Sequence, residues 1–183
     1  MRGEVQVRSL VPLSPEVVWD RVSSMEGVND ELFPVLSMTH PRSLDRIVGE
    51  VPLGTRLFRS WCLLLGAIPF DYDDLTFVGV DPGRGFHERS RMLSQKVWEH
   101  ERTIEPHPAG CVVTDRVRFE PRLPLGTGLV AAIVRRIFEH RHRRLARWAR
   151  RARDRQVERG VSRGVSRGVV ARRASPAARG AGL

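Results

Sequence analysis

Between residues 55 and 120 the chain reads as five runs rich in β-forming residues: 55–65, 70–80, 86–93, 97–105 and 111–120. The breaks are short: Gly66, then Asp81, Pro82 and Gly83, then Ser94 and Gln95, then the four residues from His107 to Gly110. Connections of this length join only antiparallel neighbours, because parallel strands need a crossover of about a dozen residues. The stretch is therefore predicted to be an antiparallel meander. Past residue 124 the period changes. Val130, Ile133, Val134, Ile137, Phe138, Leu145 and Trp148 fall on one helical stripe with arginines elsewhere, predicting one long helix to about Arg153. Ahead of the meander, residues 4–11 alternate like a strand, and Ser14 and Pro15 are an N-cap and first-turn pair. A helix through Val17, Val18, Arg21 and Val22 should end at Gly27, with a second short helix over 29–36, bent near Pro34. Pro41, Gly49, Pro52 and Gly54 leave room only for a short strand in 37–54. This order predicts an α+β domain whose curved antiparallel sheet wraps a long C-terminal helix, leaving a hollow between them.

Charge fixes the register of the last hairpin. A four-residue turn pairs Glu99 with Arg118 and Glu101 with Arg116; a shift of two residues leaves one glutamate without an arginine opposite. The other face then holds the pairs Trp98–Phe119, His100–Val117, Arg102–Asp115 and Ile104–Val113. An arginine and an aspartate on an inward face cost several kcal/mol per ion unless they bond each other and something more. Two readings stand: the polar end of a ligand pocket with His100, or a buried pair that only pins the register.

The net charge of +10 is unevenly distributed. Residues 1–134 carry 15 basic against 18 acidic side chains, and residues 135–183 carry 16 arginines against three acids. The basic character thus belongs to the last quarter of the chain. From Gly160 to Gly168 a Val-Ser-Arg-Gly unit repeats, and this composition cannot bury a core. The expected division is a domain over 1–153 and a basic disordered tail over 154–183, with disorder from residue 156. Such a tail is expected to make at most weak contact with nucleic acid or anionic membrane. No secretory signal and no apolar run of about 18 residues is present, so a cytoplasmic protein without a transmembrane segment is expected. Cys62 and Cys111 then read as buried reduced thiols.

Phe86, Trp98 with His100, and the run Thr114, Asp115, Arg116, Val117, Phe119 and Pro121 resemble the START-like helix-grip superfamily, also called SRPBCC. The likeness is to its polyketide cyclase/dehydrase and lipid transport branch. Ser14, Pro15, Glu16, Val18 and Trp19 look like that superfamily's first strand entering its first helix. The resemblance covers about residues 4–150 and implies a cavity walled in part by Trp98, His100 and Asp115. Glu88 and Arg89 depart from the pattern, in which an acidic residue is followed by a polar run.

The candidate ligand-lining residues are Trp61, Tyr72, Trp98, His100, Arg102, Asp115, Phe119 and Phe138; which face of strand 86–93 joins them is left open. Asp71, Asp73 and Asp74 read as a solvated turn, since the glycine and spacing of a calcium loop are absent. His140 and His142 are two apart and so face different sides of a helix, which argues against a metal pair. No metal and no cofactor are predicted. Two function classes remain: a carrier or sensor of a small, mostly apolar ligand, and a cyclase-type enzyme moving protons through His100 or Asp115. Arg102 beside Asp115 should keep that carboxylate ionised, which favours the carrier.

Overall fold

The computed structural model describes residues 1–46, 51–123 and 126–172, with side chains to residue 158. Its elements are β1 (Gly3–Val11), α1 (Pro15–Val22), α2 (Met25–Leu32), β2 (Leu36–Met38), β3 (Phe58–Leu64), β4 (Ile68–Leu75), β5 (Phe77–Asp81), β6 (Gly85–Met92), β7 (Gln95–His107), β8 (Gly110–Pro121) and α3 (Thr127–Arg172). The strands form one antiparallel sheet in the order β1-β8-β7-β6-β4-β3-β2, with β5 also on β6. The chain has the helix-grip α+β fold, a curled sheet gripping the long helix. The β7–β8 register matches the charge argument, with Glu99 opposite Arg118, Glu101 opposite Arg116 and Arg102 opposite Asp115.

Several boundaries differ from expectation. The first helix stops at Val22, not Gly27, because Ser24 starts a new one, its hydroxyl accepting the Gly27 amide at 3.0 Å. Gly27 lies inside α2, where a Cβ would sit 1.9 Å from the Arg21 carbonyl oxygen. α2 accordingly starts before residue 29 and ends at Leu32, ahead of Phe33, a residue that the following proline keeps out of helical geometry. The run 70–80 is two strands. The Thr76 amide donates to the Ser90 hydroxyl at 3.2 Å instead of a ladder carbonyl, and the register shifts between Phe77 and Gly79. Asp71, Asp73 and Asp74 are buried within β4 and form no solvated turn.

The long helix does not end at Arg153. Its backbone is helical to Arg172, through residues 156–172 where disorder was expected; residues 173–183 lie outside the described part. Once a helix is nucleated, each further residue adds a hydrogen bond for one residue fixed, so a helix anchored by Leu145 and Ala149 propagates even through the Val-Ser-Arg-Gly repeat. Among the described residues no helix is long and apolar enough to cross a membrane.

The core divides along α3. Val130, Val134 and Phe138 pack with Val5, Val117 and Phe119. Leu145 and Ala149 pack with Val11, Val18, Ile104 and Val113. Between these apolar layers lies a polar one.

Candidate functional site

The polar layer draws on four elements. β8 supplies Asp115 between Val113 and Val117, β7 supplies His100 and Arg102, α2 supplies Glu31, and α3 supplies Arg141 and His142, a turn beyond Phe138. Arg102 is 1% exposed, Asp115 1% and Glu31 2%. Arg102 forks into both carboxylates. Its Nε and Nη2 donate to Asp115 Oδ1 and Oδ2, each at 2.7 Å, while Nη1 and Nη2 donate to Glu31 Oε1 and Oε2, each at 3.0 Å. Arg141 Nε donates to Glu31 Oε2 at 3.0 Å. Glu31 and Asp115 thereby balance Arg102 and Arg141, the condition under which buried ions are tolerated.

Asp115 also accepts from His100 Nε2 and His142 Nε2, both at 2.9 Å. With its Nε2–H donating to Asp115, His142 accepts a hydrogen bond from the Ser9 hydroxyl at Nδ1, 2.7 Å away. Burial alone would raise the Asp115 carboxyl, but the charge and hydrogen bonds of Arg102, and then His100, hold it well below the ordinary range. Glu31 is held down in the same way, Arg102 and Arg141 outweighing burial. Four donors fill the lone-pair sites of Asp115. No site is left on that carboxylate to receive a substrate proton, and the layer's chemistry is cohesion.

A second polar group on the same concave face is less saturated. Ser90 donates to Glu88 Oε1 at 2.7 Å, and Glu88 Oε2 lies 3.6 Å from His100 Nδ1. Burial would raise Glu88, yet His100 outweighs it and the group stays below its ordinary value. Asp73, 4% exposed, is pushed well above the carboxylate range, by burial first and by the Glu88 charge second. Its Oδ1 has no hydrogen-bond partner among the described residues. Asp71, by contrast, is spent on structure, accepting the Leu93 and Ser94 amides at 2.9 and 3.2 Å and so holding the β6–β7 turn. Burial, with Asp73, Asp71 and Glu88 adding, pushes the Cys62 thiol up, so it stays protonated. Burial raises Cys111 to about 11.

The structure brings six of the eight sequence-derived candidates together. His100, Arg102 and Asp115 form the polar layer; Phe119 and Phe138 lie in the apolar layer beside it, and Trp98 packs against that layer half-buried. The Phe138 and His100 rings meet edge-on at 4.9 Å. Trp61 and Tyr72 do not join them. Strand alternation turns Ser60 and Cys62 inward and leaves Trp61 47% exposed, edge-on to Tyr72 on the opposite face with Arg59 over the Tyr72 ring. The inward face of β6 is Phe86, Glu88 and Ser90. Glu31, Arg141 and Ser9 carry no readable signal in the sequence, and His142 and Asp73 enter it only as a disfavoured metal pair and a solvated turn. Arg141 is one arginine in a run of many, and the partner of Glu31 is 71 positions away. His140 Nε2 donates to its own partner, the Phe33 carbonyl, at 2.9 Å, away from His142. Among the described residues no group of three or more side chains is placed to hold a metal.

Beside Trp98 an open cleft of about 730 Å³ is lined by Gly3, Ser90, Val97, Trp98 and Phe119 together with the charged residues Arg2, Glu4, Arg89, Arg91, Lys96, Glu99 and Arg118.

Solved structures share this architecture. Protein CV1439 from Chromobacterium violaceum is 12% identical with a TM-score of 0.60, over 78% of this chain and 94% of that one. A START superfamily protein from Mycobacterium smegmatis is 12% identical with a TM-score of 0.58, over 82% and 98%. Ara h 8.0201 is 12% identical with a TM-score of 0.59, over 81% and 98%. At such identities these likenesses establish the fold, which is that of the START-like helix-grip proteins. No curated protein matches the chain in sequence. A family model matches residues 9–149, from the inner end of β1 through the polar layer of α3, and the chain belongs to that family, the Domain of unknown function (DUF8410).

Proposed function

We propose that the protein binds a small, mostly apolar molecule beside Trp98, as a carrier or sensor rather than as an enzyme. The observation that carries this reading is the cleft of about 730 Å³ beside Trp98, within the roughly 300–1,000 Å³ usual for small-molecule sites. Half-buried Trp98 offers it apolar surface, with Phe119 fully buried behind it. The polar end of the site is Ser90, with Glu88 and the unpartnered oxygen of Asp73 behind it. Arg102 and Asp115 form the frame that holds the strands in register. The saturation of Asp115 speaks against the cyclase-type alternative, because a general base needs a free lone pair within reach of the substrate.

Titration with an apolar fluorescent dye tests the reading. One-to-one binding at micromolar strength is expected, about −8 kcal/mol. Trp98→Ala should weaken it at least about tenfold while leaving the melting transition cooperative. Equal affinity in the variant would place the dye elsewhere.

A further inference from the structure

The loop joining β3 to β4 is unlike the rest of this surface. From Leu63 to Phe70 the sequence has eight consecutive residues without a charged or hydrogen-bonding side chain. Elsewhere charges alternate along the outer faces, yet here Leu64 is 40% exposed, Leu65 68%, Ile68 57% and Phe70 50%. Val35 is exposed alongside, its carbonyl accepting the Leu65 amide at 2.9 Å. A contiguous apolar surface of this kind marks an interaction site.

We infer that this hairpin tip docks on an anionic lipid surface. Three features select a bilayer over a protein partner. First, the tip is the turn at the end of the β2–β3–β4 edge of the sheet, with Leu64 paired to Ile68 across the turn and to Leu36 on its other side. An exposed apolar edge of this kind needs no matching groove when its partner is a fluid interface. Second, the residues are layered by depth. At about 3.3 Å per strand residue, Trp61 lies roughly 13 Å and Arg59 roughly 20 Å back from Leu65. An interfacial segment buries its apolar part about 5–10 Å deep, which takes in Leu64, Leu65, Ala67 and Ile68. The Trp61–Tyr72 pair then falls at the headgroups, where amphipathic rings concentrate. Third, the outer base of the hairpin is cationic. Arg59 is paired across the strands with Asp74, and Asp74 with Arg91; Arg56 also contacts Asp74, leaving three arginines around one acid. Asp71 and Asp73 belong to the concave interior and do not face the lipid.

The test uses the full-length chain with mixed phosphatidylcholine–phosphatidylserine vesicles, at low and at high salt. Binding with a salt-resistant component is expected, since apolar insertion is not screened. Leu65→Asp should remove that component, weakening binding at least about tenfold, and Ile68→Asp should do the same. Both positions are exposed, so the melting temperature should be unchanged. The inference is overturned if the parent chain does not bind these vesicles. It is also overturned if salt abolishes all binding and the tip variants bind like the parent, which would assign the contact to the arginine-rich helix. A parent dimer that Leu65→Asp converts to a monomer would overturn it too, with a second copy covering the tip. The dye site beside Trp98 is unaffected in every case, so this result is independent of the pocket reading.

Discussion

Replacing Asp115 by alanine isolates the cohesion of the polar layer. The carboxylate accepts two bonds from Arg102 at 2.7 Å and one from each of His100 and His142 at 2.9 Å, at a position 1% exposed. Its loss leaves Arg102 with Glu31 alone, which Arg141 already shares, so two cations face one buried carboxylate. Breaking a buried pair from one side costs about 3–5 kcal/mol, a large part of the roughly 5–15 kcal/mol that holds a domain together. We expect Asp115→Ala to lie at the upper end, because the two histidines also lose an acceptor. Urea denaturation should show a lower midpoint with an unchanged slope. Arg102→Met combined with Asp115→Leu should cost less than Asp115→Ala, since it removes the stranded charge and keeps volume. Additive single-variant effects in a double-mutant cycle, or a loss below about 1 kcal/mol, would refute the reasoning.

Asp115 and Glu31 should respond to pH in the direction opposite to Asp73. Asp115 and Glu31 are held below their unfolded values, so their contribution is complete above the ordinary carboxyl pKa of about 4 and is lost as pH falls through the depressed folded values. Asp73 is raised, so its contribution is complete below about 4 and is lost as pH rises toward its folded value; Asp73→Asn should flatten the fall in melting temperature over that alkaline-going window. Gly27→Ala should destabilise, against the roughly 1 kcal/mol gain that Gly→Ala ordinarily brings inside a helix, because its Cβ would meet the Arg21 carbonyl at 1.9 Å; a neutral or stabilising effect in thermal melts would contradict the close approach. Removing residues 156–183 should leave the melting temperature and dye affinity nearly unchanged while reducing salt-sensitive retention on DNA; a loss of several degrees would mean that this segment packs on the domain.

Much of the fold was legible because two signals are local. Alternation and turn residues mark β7 and β8, and the charge pairs Glu99–Arg118 and Glu101–Arg116 fix their register without knowledge of any other strand. The inward Arg102–Asp115 pair followed from that register alone. What remained hidden depends on elements far apart in sequence. Glu31 is drawn into the layer by Arg102 and by Arg141, 110 positions on, and neither partner is distinguishable from its neighbours by type or spacing. Trp61 and Tyr72 were misplaced because β3 and β4 lack the charge alternation that identified the outer face of the last hairpin, and a large aromatic side chain gives no facing information by itself. The aspartates of β4 mimic a solvated turn in composition, yet backbone amides at Leu93 and Ser94 stabilise one of them inside the sheet.

Native mass spectrometry of the protein purified from its own cells tests the ligand-binding claim most directly. The account predicts a fraction of the protein carrying one small molecule, largely apolar once released, and loss of that mass increment in Trp98→Ala. A single unliganded mass from both proteins, together with no dye binding by the parent, would contradict it.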